Sequence, residues 1–401
     1  MQTTRKFSIV VPYKSRAGTL RLVLASLAEQ TMDRAEFEVI VGAMEYAPEY
    51  LELCREFTDR LDIVSVLAAE EWNVGRARNH AIRHASGEVL MTLDADVALP
   101  PDALRDAYDR YFAHGQNVCV VGQVVGYETA MHQHAPTAEL LAWSHYRDAL
   151  AELAAEDGDW DYRWSAKYAS ALARFPWAFV GTGLAAVPVR SVRQHDLMFD
   201  ENFRGWGPED QEWAFRISRA GIPILHASTL FGLHLPHPRD ITRNDAAAWA
   251  NNRYYLGKWP RLDLELALAF GWLRADQYYP EVARELADAA GEPHRRLAVV
   301  RGPVRGRDTL VVGALVDAAT RVVEAPVAGW FDAGSRPAVL PLAGFSLPYP
   351  DRTVGEVRVL PAVAALGPRY REAILREAKR VSPAVEAADG LRPTEVEALA
   401  R

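Results

Sequence analysis

Five short apolar runs, Phe7 to Val11, Phe37 to Val41, Ile63 to Val66, Val89 to Leu93 and Val118 to Val121, alternate with stretches of helical periodicity. The helical stretches are Thr19 to Glu29, Pro48 to Asp59, Val74 to His84 and Pro101 to Phe112. Most of the runs are apolar without a solvent face of their own, so they are expected as strands covered on both sides. Strand, helix and strand in repeated alternation imply an α/β fold, a mostly parallel sheet with helices on both faces. Ligands in such sheets sit beyond the carboxyl ends of the strands, which makes the loops after the strands the places to look for chemistry.

A chain of 401 residues can bury a sizeable core and is long enough for two domains, or for one large domain with additions. Its net charge of -8 argues against nonspecific nucleic-acid binding, yet leaves room for a local basic pocket that takes a phosphate-bearing ligand. The two cysteines, Cys54 and Cys119, suggest neither a disulfide framework nor a cysteine-rich zinc site. The opening MQTTRKF lacks the apolar core of a signal peptide, and no run approaches the ~20 apolar residues of a spanning helix. A soluble cytoplasmic protein without a transmembrane anchor is expected.

Three loops carry polar side chains in suggestive order. After the first strand comes VPYKSR, where Pro12 is expected to end the strand and Tyr13, Lys14 and Arg16 offer an aromatic face and two cations to a nucleotide base and diphosphate. After the third comes EWNVGRARNHAI, with Asn73 and Gly75 ahead of a helix bearing Arg76, Arg78 and Asn79. After the fourth comes LDADVALP, in which Asp94 and Asp96 flank Ala95 at the end of a very apolar strand. Two carboxylates there are expensive unless a positive charge joins them. A hard divalent cation bridged to a diphosphate is the simplest candidate, and the competing reading is a turn begun by aspartate. Further on, FRGWGPEDQEWAFRISRAG crowds Glu209, Asp210 and Glu212 at the start of an amphipathic helix. Helix chemistry alone accounts for carboxylates in a first turn. A rigid turn that holds one carboxylate against a substrate proton is the functional alternative.

Taken together, IVVPYKSRAGTLRLVLASLAEQ, EVIVG, NVGRARNHAIRHASGEVLMTLDAD and FDENFRGWGPEDQEWAFRISRAG resemble family 2 glycosyltransferases of the GT-A nucleotide-sugar-binding fold, in that family's order. The last block also resembles the C-terminal catalytic part of β-1,4-galactosyltransferases, whose turn is Gly-Trp-Gly followed by Glu-Asp. The resemblance covers about residues 7 to 240. It implies a donor site around Pro12, Tyr13, Lys14 and Arg16, with Arg78 near base or phosphates. Asp94, with Ala95 beside it, is implied at the ribose, and Asp96 at the metal. Many relatives place an aspartate after the second strand to read uracil, whereas VGAMEY offers only Glu45 nearby. Uridine diphosphate is the expected carrier. His234 and His237, in LFGLHLPHPRD, match a region where galactosyltransferases use a histidine to complete the metal shell. Imidazole favours Mn²⁺ over Mg²⁺, and strand capping is the alternative for either ring.

The resemblance makes Asp210 the base that takes the acceptor hydroxyl proton, Glu209 an acceptor hydrogen-bond partner and Trp206 a flat surface for a sugar ring, with core packing as the alternative for Trp206. Glu212 is read as an ordinary first-turn helix carboxylate. Inversion is expected, with retention open, because sequence does not fix the face of the sugar that Asp210 approaches. A sugar-phosphate nucleotidyltransferase is a rival that should carry a glycine and arginine-rich loop near its amino terminus, where this chain has VPYKSRAG. A noncatalytic sugar binder would not need both acidic motifs. The resemblance implies that residues 127 to 177 face the acceptor; His132 and His134 in that segment are expected in a surface loop, with a metal as the alternative, and Gly181 and Gly183 are expected to let backbone approach the donor sugar. The acceptor is expected to be a soluble small molecule or a glycan.

Past residue 240, helices are expected over Asp245 to Lys258 and Tyr279 to Ala290, then a Pro, Gly and Arg-rich boundary near residue 300. A catalytic domain over 1–298 and an α/β accessory domain over 299–401 are expected. The latter resembles the later half of class I methyltransferases, but VVGAL lacks the glycine-rich loop that approaches a methyl donor. Packing, dimerisation into a homodimer, or acceptor binding is the expected use.

Overall fold

A computed structural model describes residues 5–126, 139–156 and 158–388. The chain divides into two compact units, Met1–Asn251 and Asn252–Arg401.

In the first unit the apolar runs form β1 (Phe7–Tyr13), β2 (Phe37–Ala43), β3 (Ile63–Leu67), β4 (Val89–Leu93), the short β5 (Val97–Ala98) and β6 (Cys119–Val125). Two further strands, β7 (Leu184–Pro188) and β8 (Ile224–His234), join them. The sheet runs β3-β2-β1-β4-β7-β6-β8-β5. From β3 to β4 the strands are parallel, β7 runs against both of its neighbours, and β6 and β8 are parallel to each other. This is an α/β fold on a mixed, mostly parallel sheet.

Both faces of that sheet are covered, as the unbroken apolar runs require. Ile9 and Val11 of β1, Val39 and Val41 of β2, and Met91 and Leu93 of β4 join one core cluster. The alternate residues Val10, Ile40 and Leu90 join the other, where they meet Trp213 and Ile217. Each such side chain, withdrawn wholly from water, stabilises the fold by about 1.5–3 kcal/mol.

Pro12 does not end its strand. β1 continues through Pro12 opposite Gly42 to Tyr13 opposite Ala43, both on β2. Pairing with β4 stops at Val10, so on that side the proline ring interrupts no ladder.

The four expected helices are α1 (Ala17–Ala28), α2 (Pro48–Phe57), α3 (Val74–Ile82) and α4 (Ala103–Tyr111). Later helices cover Trp143–Ala155, Glu209–Arg219, Ile241–Lys258, Leu262–Phe270 and Trp272–Ala290. None of the helices among the described residues is long and apolar enough to cross a membrane.

The second unit has its own sheet, ordered β11-β9-β10-β12-β13. Its strands are β9 (Arg295–Val304), β10 (Arg307–Asp317), β11 (Ala338–Leu340), β12 (Glu356–Val359) and β13 (Val385–Ala387). β9 and β10 form a hairpin whose connecting Arg305 and Gly306 both have positive φ, 52° and 75°, as a two-residue turn of matching twist demands. β10, β12 and β13 are parallel, and the helix Pro368–Val381 makes the crossover between the last two. VVGAL lies inside β10, with a register shift between Val312 and Ala314 in place of a loop. The helices Leu262–Phe270 and Trp272–Ala290 belong to this unit, so compactness divides the chain earlier than the composition change near residue 300. Glu265 explains part of that grouping: its carboxylate, wholly buried, accepts from the backbone N–H groups of Ala343, Gly344 and Phe345 at 3.0, 2.5 and 2.7 Å.

Candidate active site at the strand ends

β4 ends at Leu93, and Asp94, Ala95 and Asp96 turn the chain into β5. β5 pairs with the end of β8, Val97 opposite His234, and the Leu235 N–H donates to the Asp96 carbonyl at 2.7 Å. That register brings together residues far apart in sequence. One ligand atom each from Asp96, His234 and His237 lies within 4.8 Å of the others. His237 Nε2 is 3.1 Å from Asp96 Oδ2, and His234 Nε2 is 3.9 Å from Asp96 Oδ1.

The protonation pattern suits a cation. His237 Nδ1 lies 2.9 Å from the Pro238 carbonyl, which only accepts, so Nδ1 carries the proton and Nε2 presents its lone pair to the cluster. Burial pushes His237 down to about 4, with the charges of Arg16 and Arg239 adding to the effect against Asp96. Burial likewise lowers His234, against the pull of Asp96. Two neutral imidazoles and one carboxylate form a mixed nitrogen and oxygen set that fits Mn²⁺ better than Mg²⁺. Two guanidiniums also reach it. Arg239 Nη2 is 2.9 Å from His234 Nε2 and 3.3 Å from His237 Nε2, while Arg16 pairs with Asp96.

Arg78 ties this end to the acidic turn. Buried at 3 % exposure, it donates through Nη2 to Asp94 Oδ1 at 2.9 Å and through Nη1 to Glu209 Oε1 at 3.4 Å. Its ring partner is Phe199, 5.0 Å from the guanidinium carbon. Gly183 backs Asp94: its carbonyl accepts from the Asp94 N–H at 3.1 Å, and a Cβ at 183 would stand 3.1 Å from Asp94 Oδ2.

Side-chain amides hold the turn itself. Asn73 caps α3 by accepting from the Arg76 N–H at 2.8 Å, and donates to the carbonyls of Glu201 and Phe203 at 2.8 and 3.0 Å. Asn79 exchanges bonds of 2.9 and 2.8 Å with the backbone of Phe199. Asn251 accepts from the Arg204 N–H at 3.1 Å and directs Nδ2 at the carbonyls of Arg204, Trp206 and Gly207, at 2.9, 3.2 and 2.6 Å. Gly205 and Gly207 sit at φ 75° and 48°, where most side chains are strained. Trp206 between them is 41 % exposed, so its ring is a surface feature and not core.

Glu209 and Asp210 follow at the start of the helix Glu209–Arg219. Burial, with the neighbouring Asp210 charge, pushes Glu209 up to about 7 against the pull of Arg78. Its Oε2 is buried without a hydrogen-bond partner. Asp210 Oδ1 accepts from the Gln211 N–H at 2.8 Å. Burial raises its pKa as well, opposed by that N–H and by Arg78 and Arg163. Glu212 is more than a first-turn carboxylate: fully buried, it accepts from Arg216 Nε at 3.1 Å with both oxygens.

The first loop needs revision too. Tyr13 is 1 % exposed and stacks on Tyr50 at 4.6 Å, so its ring face belongs to the core and is not open to a base. Glu45 accepts from Ser15 N–H and Oγ at 2.5 and 2.7 Å and thereby closes the loop after β1. Lys14 Nζ donates to the Glu70 carbonyl at 3.0 Å. Gly181 makes room for a side chain of the protein: a Cβ there would meet Arg163 Nη1 at 2.6 Å. His132 and His134 lie outside the described residues. Arg239 and Asn251 are the contributors that sequence reasoning passed over. Arg239 had a signal, a cation two residues after His237; Asn251 had none, being one polar residue in a helix.

A strand-end acidic motif is joined here to an acidic helix start through Arg78, and the proteins to which this chain is similar are glycosyltransferases. Residues 8–159 match the model described as Glycosyl transferase family 2. The chain is 25% identical over 418 aligned residues to validoxylamine A glucosyltransferase of Streptomyces hygroscopicus subsp. jinggangensis, covering 94% of this chain and 96% of that protein. It is 27% identical over 266 residues to the validoxylamine A glucosyltransferase of Streptomyces hygroscopicus subsp. limoneus, covering 65% of this chain and 58% of that one. Among solved structures it is similar, with a TM-score of 0.46 and 17% identity, to the mannosyltransferase PcManGT from Pyrobaculum calidifontis in complex with GDP-Man and Mn²⁺, over 72% of this chain and 76% of that one.

Proposed function

We propose that the protein moves a sugar from a nucleotide-sugar, with uridine diphosphate as carrier, to a hydroxyl of a small-molecule or glycan acceptor, and does so with inversion. One observation carries the reading: buried Arg78 bonds both Asp94 and Glu209, so the donor motif and the acidic turn meet at one side chain. A relative that aligns along nearly the whole chain is named a validoxylamine A glucosyltransferase, which favours a hexose donor.

Asp96, His234 and His237 would hold Mn²⁺ or Mg²⁺, which supplies charge neutralisation on the departing diphosphate. Arg16 and Lys14, on the loop that follows Pro12 and Tyr13 at the end of β1, surround the nucleotide, with Asp94 at the ribose and Ala95 and Gly183 shaping the wall beside it. Trp206 packs on the acceptor ring and Glu209 hydrogen-bonds it. Asp210 takes the proton of the attacking hydroxyl while the new bond to the anomeric carbon forms; the bond to the diphosphate breaks, and its electron pair leaves with the nucleotide. A raised pKa on Asp210 improves it as a proton acceptor. We assign the donor chemistry to residues 1–298, and packing, dimerisation or acceptor binding to residues 299–401.

The test is a thermal-shift panel of nucleoside diphosphates with and without Mn²⁺, on the parent and on Asp96→Ala. Uridine diphosphate with Mn²⁺ should stabilise the parent, by about 2.7 kcal/mol at a hundred times its dissociation constant, and the variant should lose the Mn²⁺-dependent part. A shift with another nucleotide only would move the carrier assignment. An unchanged Mn²⁺ dependence would take Asp96 out of the cation site.

A further inference from the structure

The imidazole lone pairs that a cation would need at His234 and His237, and one of the two carboxylate oxygens of Asp96, face a guanidinium. Arg239 Nη2 donates toward both imidazole Nε2 atoms, at 2.9 and 3.3 Å, and Arg16 Nη1 pairs with Asp96 Oδ2, the oxygen that lies 3.1 Å from His237 Nε2. A nitrogen lone pair accepts a hydrogen bond or binds a metal, not both at once. Beyond that exclusion stands charge: a divalent ion placed here would meet two fixed cations with Asp96 as the carboxylate of the set. The arrangement therefore disfavours the ion until something negative removes the guanidiniums.

A nucleoside diphosphate is suited to that task. Its oxygens match the planar fork of arginine, and its charge offsets a metal and a guanidinium together. Resting on the cation-site reading above, we propose that Arg239, together with Arg16, holds the cation's place in the free enzyme and transfers to the diphosphate when the nucleotide arrives. Arg239 is then a diphosphate-binding residue as well as the positioning residue that couples the two ligands. Three consequences follow from linkage. The nucleotide binds measurably without metal, the metal alone binds weakly, and each strengthens the other by the same factor.

The experiment is a Mn²⁺ titration read by the electron paramagnetic resonance of free Mn²⁺, on the full chain, with and without saturating uridine diphosphate, for the parent, Arg239→Gln and Arg239→Lys. In the parent, the nucleotide should tighten Mn²⁺ binding by ~5 to 150-fold, the usual range of coupling between sites. Arg239→Gln should bind Mn²⁺ alone roughly tenfold more tightly and show a correspondingly smaller coupling factor, and it should bind uridine diphosphate less tightly in EDTA. Arg239→Lys keeps the charge but loses the fork, and should fall between the two. Equal Mn²⁺ affinity without nucleotide in parent and Gln variant, with an unchanged coupling factor, overturns the role of Arg239 while leaving the cation site standing. Failure of every protein to bind Mn²⁺, with or without nucleotide, removes the cation site and this inference with it.

Discussion

The two ends of the candidate site are built with opposite surpluses. Around Asp96 the protein gathers Arg16, Arg239 and two neutral histidines, so positive charge and lone pairs outnumber carboxylates. Around the Gly-Trp-Gly turn it gathers Glu209 and Asp210 against Arg78, with Arg163 already paired to Asp161, and burial raises both carboxyls. The first end is suited to an anion that brings charge with it. The second is suited to a group that gives up a proton. The ends also differ in how they are held: strand register places the first, and three buried asparagine amides place the second. Arg78 spans the two, so a side chain that is itself buried links one side to the other.

The sharpest way to break this contrast is Asp210→Asn. The amide keeps size and most hydrogen bonding but takes no proton, so turnover should fall by ~10² to 10⁴ while nucleotide affinity stays near the parent value. Single-turnover transfer and calorimetry on the same preparation check both halves. Transfer at close to the parent rate in a folded, donor-bound variant would make Asp210 a helix ornament. Loss of affinity in step with rate would make it a binding residue and leave the acidic end without a base.

A second test concerns protons bound at rest. Glu209 is held at about 7 when folded against 4.5 in the reference state, so the folded protein binds the extra proton between those values. Stability from this group is therefore full below 4.5 and is lost as pH rises through 7. The span is at most about 3 kcal/mol. Glu209→Gln has no carboxyl to titrate, so its stability relative to the parent should rise across that window and level off above it. Glu265, in the second unit, is also pushed up to about 7 by burial, against its backbone donors. For that reason the difference between variant and parent, not the parent curve alone, must be followed by urea unfolding at stepped pH. A difference that stays constant from pH 5 to 8 would place the titrating group elsewhere.

Much of this fold is legible in the sequence itself. Apolar runs with no polar face require a sheet covered on both sides, and the alternation of Val10 with Ile9 and Val11 between two cores is that requirement met. β7 escaped because LAAVP is small and alanine-rich, with little β-branched signal, though it sits between β4 and β6. The acidic pairs announced themselves as charge at the end of apolar sequence. The burial of Tyr13 against Tyr50 did not, since an aromatic next to lysine and arginine reads equally as loop or as core. Glu212 misled for a related reason: a first-turn carboxylate looks the same in sequence whether water or Arg216 answers it. Long-range partners were least visible, and Asn251 is the clearest instance, since only the fold brings its amide to three carbonyls of the turn.

Asn251 therefore offers the finest test of how the acidic end is held. Replacing it with alanine leaves the carbonyls of Arg204, Trp206 and Gly207 and the Arg204 N–H without this partner, at a cost of about 1–3 kcal/mol where the groups stay buried. Nothing at the cation end touches Asn251 among its described bonds, so nucleotide and Mn²⁺ affinity should hold while turnover and acceptor KM suffer from a loosened turn. Asn251→Asp separates cause from bulk. Its carboxylate still accepts from the Arg204 N–H but points an oxygen at three carbonyls where the parent points an N–H, so it should be no more stable than the alanine variant despite nearly conserving shape. If the aspartate variant instead matches the parent in urea midpoint and turnover, the amide donor is not what grips the turn, and the positive-φ glycines alone must set its conformation.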